Sequence, residues 1–218
     1  MKKRYYLFKL NLTTLNILSI IIFVFMLIIS SLFFEFNIMN LSNNWFGLLF
    51  WYLLYTFLHE ILHAISYVVN GAKFNKVTFG ILLEKGILYC LCKQNISKKN
   101  ILISSVCPLV VIGFVTYIIS IIYNLPFLMF MSILNIAGSA GDIVTFMYLR
   151  KIKSFEFTEM DDPTMFALYS SKDVSKTKHF GLKFVGRQDS IKRQDFKKID
   201  ISIVSILLML FLLIMSFN

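Results

Sequence analysis

Two histidines four residues apart, with a glutamate beside the first, form the segment His59-Glu60-Ile61-Leu62-His63. By this pattern one helix can grip a zinc ion and hold a base next to it. Residues four apart on an α-helix are displaced by ~6 Å along the axis and share a face, so both imidazoles reach one ion. Glu60 projects beside them, where a carboxylate can take a proton from metal-activated water. The chain has 3 histidines and the motif takes two of them. The third, His179, falls in a hydrophilic stretch and reads as a surface residue.

The elements that must carry these groups are set by the solvent. Of 218 residues, 57% are hydrophobic and 16% charged, which is too apolar for a soluble domain of this length. Five runs are long enough to cross a hydrocarbon core as helices: Leu15 to Phe34, Trp45 to Val69, Ile101 to Tyr123, Phe127 to Leu149 and Ile199 to Phe217. They lack the alternation of a barrel strand, and backbone groups in lipid must be satisfied within the segment, so helices are expected. The first run is too long for a secretory signal and has no small-residue cleavage site after Ser30-Ser31, so it is read as a retained anchor.

Within the first four runs the Asp, Glu, Lys, Arg and His residues are His59, Glu60, His63 and Asp142 alone. Ionisable groups in lipid are costly, which makes each a functional-site hypothesis. Zinc needs a third protein ligand and an open position. His63 stands ~10 Å from the end of its helix at Asn70 and Asp142 stands ~12 Å from Arg150, so the two share a depth. The small residues Gly138-Ser139-Ala140-Gly141 before Asp142 suit close helix contact. A third histidine six residues beyond His63 would fall at Val69, which excludes that ligand pattern. Glu84, 21 residues after His63, is the rival ligand, although a hairpin tip suits it as a solvated turn residue. The bland alternative makes His59, His63 and Asp142 a set of interhelical hydrogen bonds without a metal.

The basic residues set an orientation. Lys2, Lys3, Arg4 and Lys9 precede the first run, six lie between the second and third, and twelve between Arg150 and Lys198, which is the whole complement of 22. Basic residues accumulate on the cytoplasmic side, so the N-terminus is expected inside and the C-terminus outside. The net charge of +10 follows from that topology, with anionic lipid headgroups as partners and no nucleic-acid role. Cys90, Cys92 and Cys107 fall on the side where thiols stay reduced. Cys90 and Cys92 read as small residues on one face of a strand, with a metal-binding pair as the alternative. The segment Lys73 to Lys93, with β-branched and aromatic runs around Glu84-Lys85-Gly86, predicts a β-hairpin.

These residues carry a resemblance. Leu58-His59-Glu60-Ile61-Leu62-His63-Ala64, the hairpin, Ser97-Lys98-Lys99 leading to Cys107-Pro108-Leu109, Asn135 with Gly138 to Asp142, and Asp161-Asp162-Pro163 resemble small bacterial multi-pass proteins classed as zincin peptidases. The likeness covers Trp51 to Tyr169. More distantly the chain is similar to the site-2 intramembrane metalloproteases, in which an aspartate on a later helix completes the zinc site. That role carries onto Asp142, although Gly141 and Ile143 flank it here where the protease pattern has proline before and glycine after.

The sequence therefore predicts an all-α integral membrane protein with about five transmembrane helices and a cytoplasmic β-hairpin between helices 2 and 3. It divides into a membrane core at 1–149, a basic cytoplasmic segment at 150–198 and a C-terminal helix at 199–218. The expected function is a zinc-dependent endopeptidase of a bacterial cell membrane, acting on a membrane or membrane-proximal polypeptide. His59, His63 and Asp142 would bind Zn²⁺, Glu60 would be the base, and Asn135 would orient a ligand or the substrate. A metal transporter or sensor, and a non-catalytic scaffold, are the alternatives.

Overall fold

The computed structural model describes residues 3–33, 45–82, 87–176 and 180–191. The expected fifth span, Ile199 to Phe217, lies outside the described residues, as do Glu84 and His179. In chain order the elements are β1 (Arg4–Leu10), α1 (Leu12–Ser30), α2 (Trp45–Val69), β2 (Val77–Leu82), β3 (Ile87–Cys92), β4 (Ile96–Ser97), α3 (Lys98–Pro108), a π-helical stretch (Leu109–Val115), α4 (Thr116–Ile122), α5 (Pro126–Gly138), α6 (Ala140–Leu149), β5 (Glu156–Glu159), β6 (Met165–Ser170) and β7 (Leu182–Gln188).

Among the described residues three helices are long and apolar enough to cross a membrane: Leu12–Ser30, Gly47–Val69 and the continuous Lys98–Ile122. A fourth is obtained if α5 and α6, bent by 46° at Ser139, count as one span. Two sequence features disturb regular winding. Pro108 has no N–H to donate, and the chain after it runs as the π-helix. At the bend, the Ser139 hydroxyl and amide both reach the Asn135 carbonyl at 2.9 Å, a local bond that competes with the helical ladder. The small-residue run thus makes a bend, which puts Asn135 in the last turn of α5 and Asp142 in the first turn of α6.

The all-α expectation is wrong: the fold is mixed, with a five-stranded antiparallel sheet in the order β4-β5-β6-β1-β7 and the two-stranded sheet β2-β3. β1 is an inner strand, between β6 and the edge strand β7. Arg4 and Lys9, two of the four basic residues that precede the first run, belong to this strand, Arg-Tyr-Tyr-Leu-Phe-Lys-Leu, whose middle residues Tyr6, Leu7 and Phe8 are buried. Its partners lie some 160 residues away, with Tyr6 opposite Leu168 and Phe8 opposite Phe166. Composition over 150–198 averages the buried faces of these strands with their charged faces and so hides them.

The sheet's apolar face packs on the ends of the helices. Tyr6, Phe8, Phe157, Phe166 and Leu168 join Tyr148 and Leu149 of α6, Ile101 of α3, Ala64 and Tyr67 of α2, and Cys90 and Cys92 of β3 in one buried cluster. Phe8 stacks on Phe166 with ring centroids 5.6 Å apart and meets Tyr148 at 5.1 Å. Each such ring contributes about 1.5–3 kcal/mol through burial. This cluster makes the sheet a platform for the end of α2 that carries the motif. A second cluster, Met26, Tyr117, Met129, Ile133 and Ile136, joins α1, α4 and α5 farther along the helices.

Candidate metal centre

Helix α2 supplies His59, Glu60, His63 and, four residues on, Tyr67. It packs against α3, α5 and β3, so every neighbour of the site is an element already placed. His59 Nε2 lies 3.2 Å from His63 Nε2 and 3.1 Å from Asp142 Oδ2. His63 Nε2 lies 3.5 Å from Asp142 Oδ1. The structure thus brings together the three residues expected as ligands from the sequence.

The back of each imidazole is held. His63 Nδ1 is 3.0 Å from the Ser104 carbonyl of α3, and His59 Nδ1 is 3.2 Å from Asn135 Oδ1 at the end of α5. A carbonyl oxygen only accepts, so His63 Nδ1 donates; His59 Nδ1 does so when it pairs with Asn135 Oδ1 rather than with Nδ2 at 3.4 Å, and the Nε2 atoms of the neutral rings then turn lone pairs toward each other. Two lone pairs and a carboxylate at this range call for a positive centre between them, a metal ion or a proton. Zinc at about 2.0–2.1 Å from tetrahedral ligands would separate them by about 3.3 Å, against the observed 3.1, 3.2 and 3.5 Å. The donor set therefore fits zinc in both type and spacing. Side-chain exposures of 13% for His59, 10% for His63 and 26% for Asp142 leave the cluster reachable mainly from the Asp142 side.

Glu60 stands beside the cluster, with the backbone amide of Cys90 of β3 near its carboxylate. Asn135, expected to orient a ligand or substrate, touches His59. Cys90 and Cys92 face the buried cluster, and burial pushes the Cys90 thiol well up.

Three participants were not singled out in the sequence. Ser104 contributes a backbone carbonyl, for which side-chain identity gives no signal. Tyr67 continues the His59, His63 face by one more turn, a periodicity that could have marked it; its ring stacks on His63 with centroids 6.4 Å apart. Glu159 arrives from β5, and its carboxylate accepts from the Tyr67 hydroxyl at 2.9 Å and from the Cys92 backbone N–H. Burial pushes its carboxyl up to about 7, against the lowering effect of the Cys92 amide and the Tyr67 hydroxyl.

Comparison with known proteins agrees with this chemistry. The chain is 30% identical over 105 residues to an uncharacterized 24.7 kDa protein in the gap 5' region of Pyrococcus woesei, an alignment covering 47% of this chain and 46% of that protein. The chain thus spans about half the length of the curated relative it matches. No solved structure matches. Residues 52–155, which hold α2 from Tyr52 through α6 and so all of His59, Glu60, His63, Asn135 and Asp142, match the model of a family described as "Putative zincin peptidase".

Proposed function

We propose that this chain is a zinc-dependent endopeptidase embedded in a membrane, acting on an extended segment of a membrane or membrane-proximal polypeptide. The observation that carries the reading is the convergence of His59 Nε2, His63 Nε2 and the Asp142 carboxylate at 3.1 to 3.5 Å with both Nδ1 atoms already satisfied. His59, His63 and Asp142 hold the metal. Bound zinc supplies Lewis acidity, which acidifies water and polarises a peptide carbonyl. Glu60 takes the water proton and passes it to the amine nitrogen as the C–N bond breaks and the new C–O bond forms.

Membrane placement is supported by the exposed apolar faces of the helices, such as Ile17, Ile20, Ile21, Val24 and Ile28 on α1. Lipid rather than water is the solvent such a face matches. β1 precedes α1, the hairpin lies between α2 and α3, and β5 to β7 follow α6. Pairing of β1 with β6 and β7 needs these segments on one side, the side where the basic residues cluster and which we assign to the cytoplasm. An extended substrate exposes the carbonyls that a helix hides, and it can add to an open strand edge of the hairpin.

The test uses the full chain purified in detergent, with fluorescein-labelled casein as an unfolded substrate. About one zinc per chain is expected. His59→Ala loses the zinc, and Glu60→Gln keeps it while losing cleavage. Zinc binding without Glu60-dependent cleavage would remove the peptidase reading, and absence of zinc would remove the metal site.

A further inference from the structure

Strand β3 has two edges. One pairs with β2, and Lys93 N–H extends that ladder to the Lys76 carbonyl at 2.7 Å. On the other, the Cys92 N–H donates to Glu159 of β5, and the Cys90 amide lies near Glu60 of α2. Amides two residues apart share an edge, so fixing one fixes the position of the other. The remaining oxygen of Glu159 accepts from Tyr67, which lies two turns along α2 from Glu60 and stacks on His63. One carboxylate thus joins the sheet, the hairpin and the metal-binding helix, and it comes from beyond residue 155, where the family match ends.

We propose that Glu159 is a positioning residue for the hydrolytic site: its carboxylate clamps the edge of β3 to α2, which keeps β3 beside Glu60 and the Tyr67 ring against His63. The proposal rests on the peptidase reading for its catalytic consequence. The physical need is clear from the alternative. Without Glu159 the Cys92 amide and the Tyr67 hydroxyl lose a shared acceptor in a buried place, and the hairpin edge is free to slide along the helix. The carboxylate of Glu60 would then keep its place in the sequence but lose its orientation, and small misplacements of a catalytic group cost up to about 10²-fold in rate.

The test uses the zinc-loaded full chain in detergent and variants Glu159→Ala, Glu159→Gln and Tyr67→Phe, with two readouts. Amide hydrogen exchange over residues 87–92 reports the clamp, and casein cleavage reports its consequence. Glu159→Ala is expected to retain zinc, to raise exchange over 87–92 by about tenfold, and to lower kcat by about 10–100-fold with KM within about twofold. Glu159→Gln keeps an acceptor of the same size and restores most of both. Tyr67→Phe removes one of the two donors and falls between. Unchanged exchange in Glu159→Ala overturns the clamp whatever the cleavage result. Raised exchange with unchanged kcat overturns the positioning role. A wild type that holds zinc and shows Glu159-dependent protection but cleaves no casein overturns the peptidase reading and the catalytic half of the proposal, while leaving the clamp established.

Discussion

The Nδ1 atom of His63 stands 3.0 Å from the carbonyl oxygen of Ser104, so a main-chain atom of α3 decides which nitrogen of His63 carries the proton. Asn135, with Oδ1 3.2 Å and Nδ2 3.4 Å from Nδ1, does the same for His59 when its oxygen faces the ring. Both rings are thereby set to ligate through Nε2, with the partner behind each ring holding its orientation. In ¹⁵N NMR of the zinc-loaded, histidine-labelled protein, two imidazoles should carry the proton on Nδ1 and show Nε2 shifted by metal. A site imidazole protonated on Nε2 would contradict this arrangement.

Because Asn135 acts on His59 from behind, its loss should weaken metal binding without abolishing it. Asn135→Ala is expected to lower zinc affinity about 10–100-fold, measured by competition with a chromophoric chelator. Substitution of Thr56, whose hydroxyl is occupied by the Tyr52 carbonyl at 2.9 Å on the same helix, should leave the affinity unchanged. Equal affinity in Asn135→Ala and wild type would return Asn135 to a simple packing role.

The motif and its partner were legible for a physical reason. Charged groups are rare in apolar helices, so His59, Glu60, His63 and Asp142 stood out by composition, and helix rise alone set them at one level. The sheet was not legible in the same way. One of its inner strands, Arg4–Leu10, reads as a basic flank, and its pairing with Met165–Ser170 spans some 160 residues. Local composition carries no signal of a contact at that separation. Glu159 was hidden for the same reason, since the chemistry it joins lies 92 residues away at Tyr67.

Asp142 and Glu84 make opposite predictions as third ligand. Asp142 places its two oxygens on the two imidazoles, at 3.1 and 3.5 Å. Asp142→Ala should therefore reduce zinc content of the purified protein to a small fraction, since three protein ligands are the minimum for a stable site of this kind. Glu84→Ala should bind as wild type does. Zinc retained in Asp142→Ala and lost in Glu84→Ala would exchange their roles.

The raised carboxyl of Glu159 makes stability depend on pH in a defined direction. Its ordinary value of 4.5 moves up to about 7 in the folded chain, because burial disfavours the charged form. The folded state therefore holds this proton more tightly than the unfolded state does. The stabilisation is complete below about 4.5 and is lost as pH rises through about 7. The groups facing Glu159 are the Tyr67 hydroxyl, His63 and Glu60 of α2 and the Cys92 amide of β3. All of them are retained in Glu159→Gln, which cannot ionise at the substituted position. Comparing zinc-loaded wild type with that variant thus isolates the Glu159 proton. Between pH 8 and pH 6 the wild type should gain about 1.3 kcal/mol relative to the variant, or about 3–5 °C in Tm, read by intrinsic fluorescence in detergent. Parallel Tm curves for the two proteins would mean that Glu159 titrates outside this window and that its carboxyl is not buried in the folded chain.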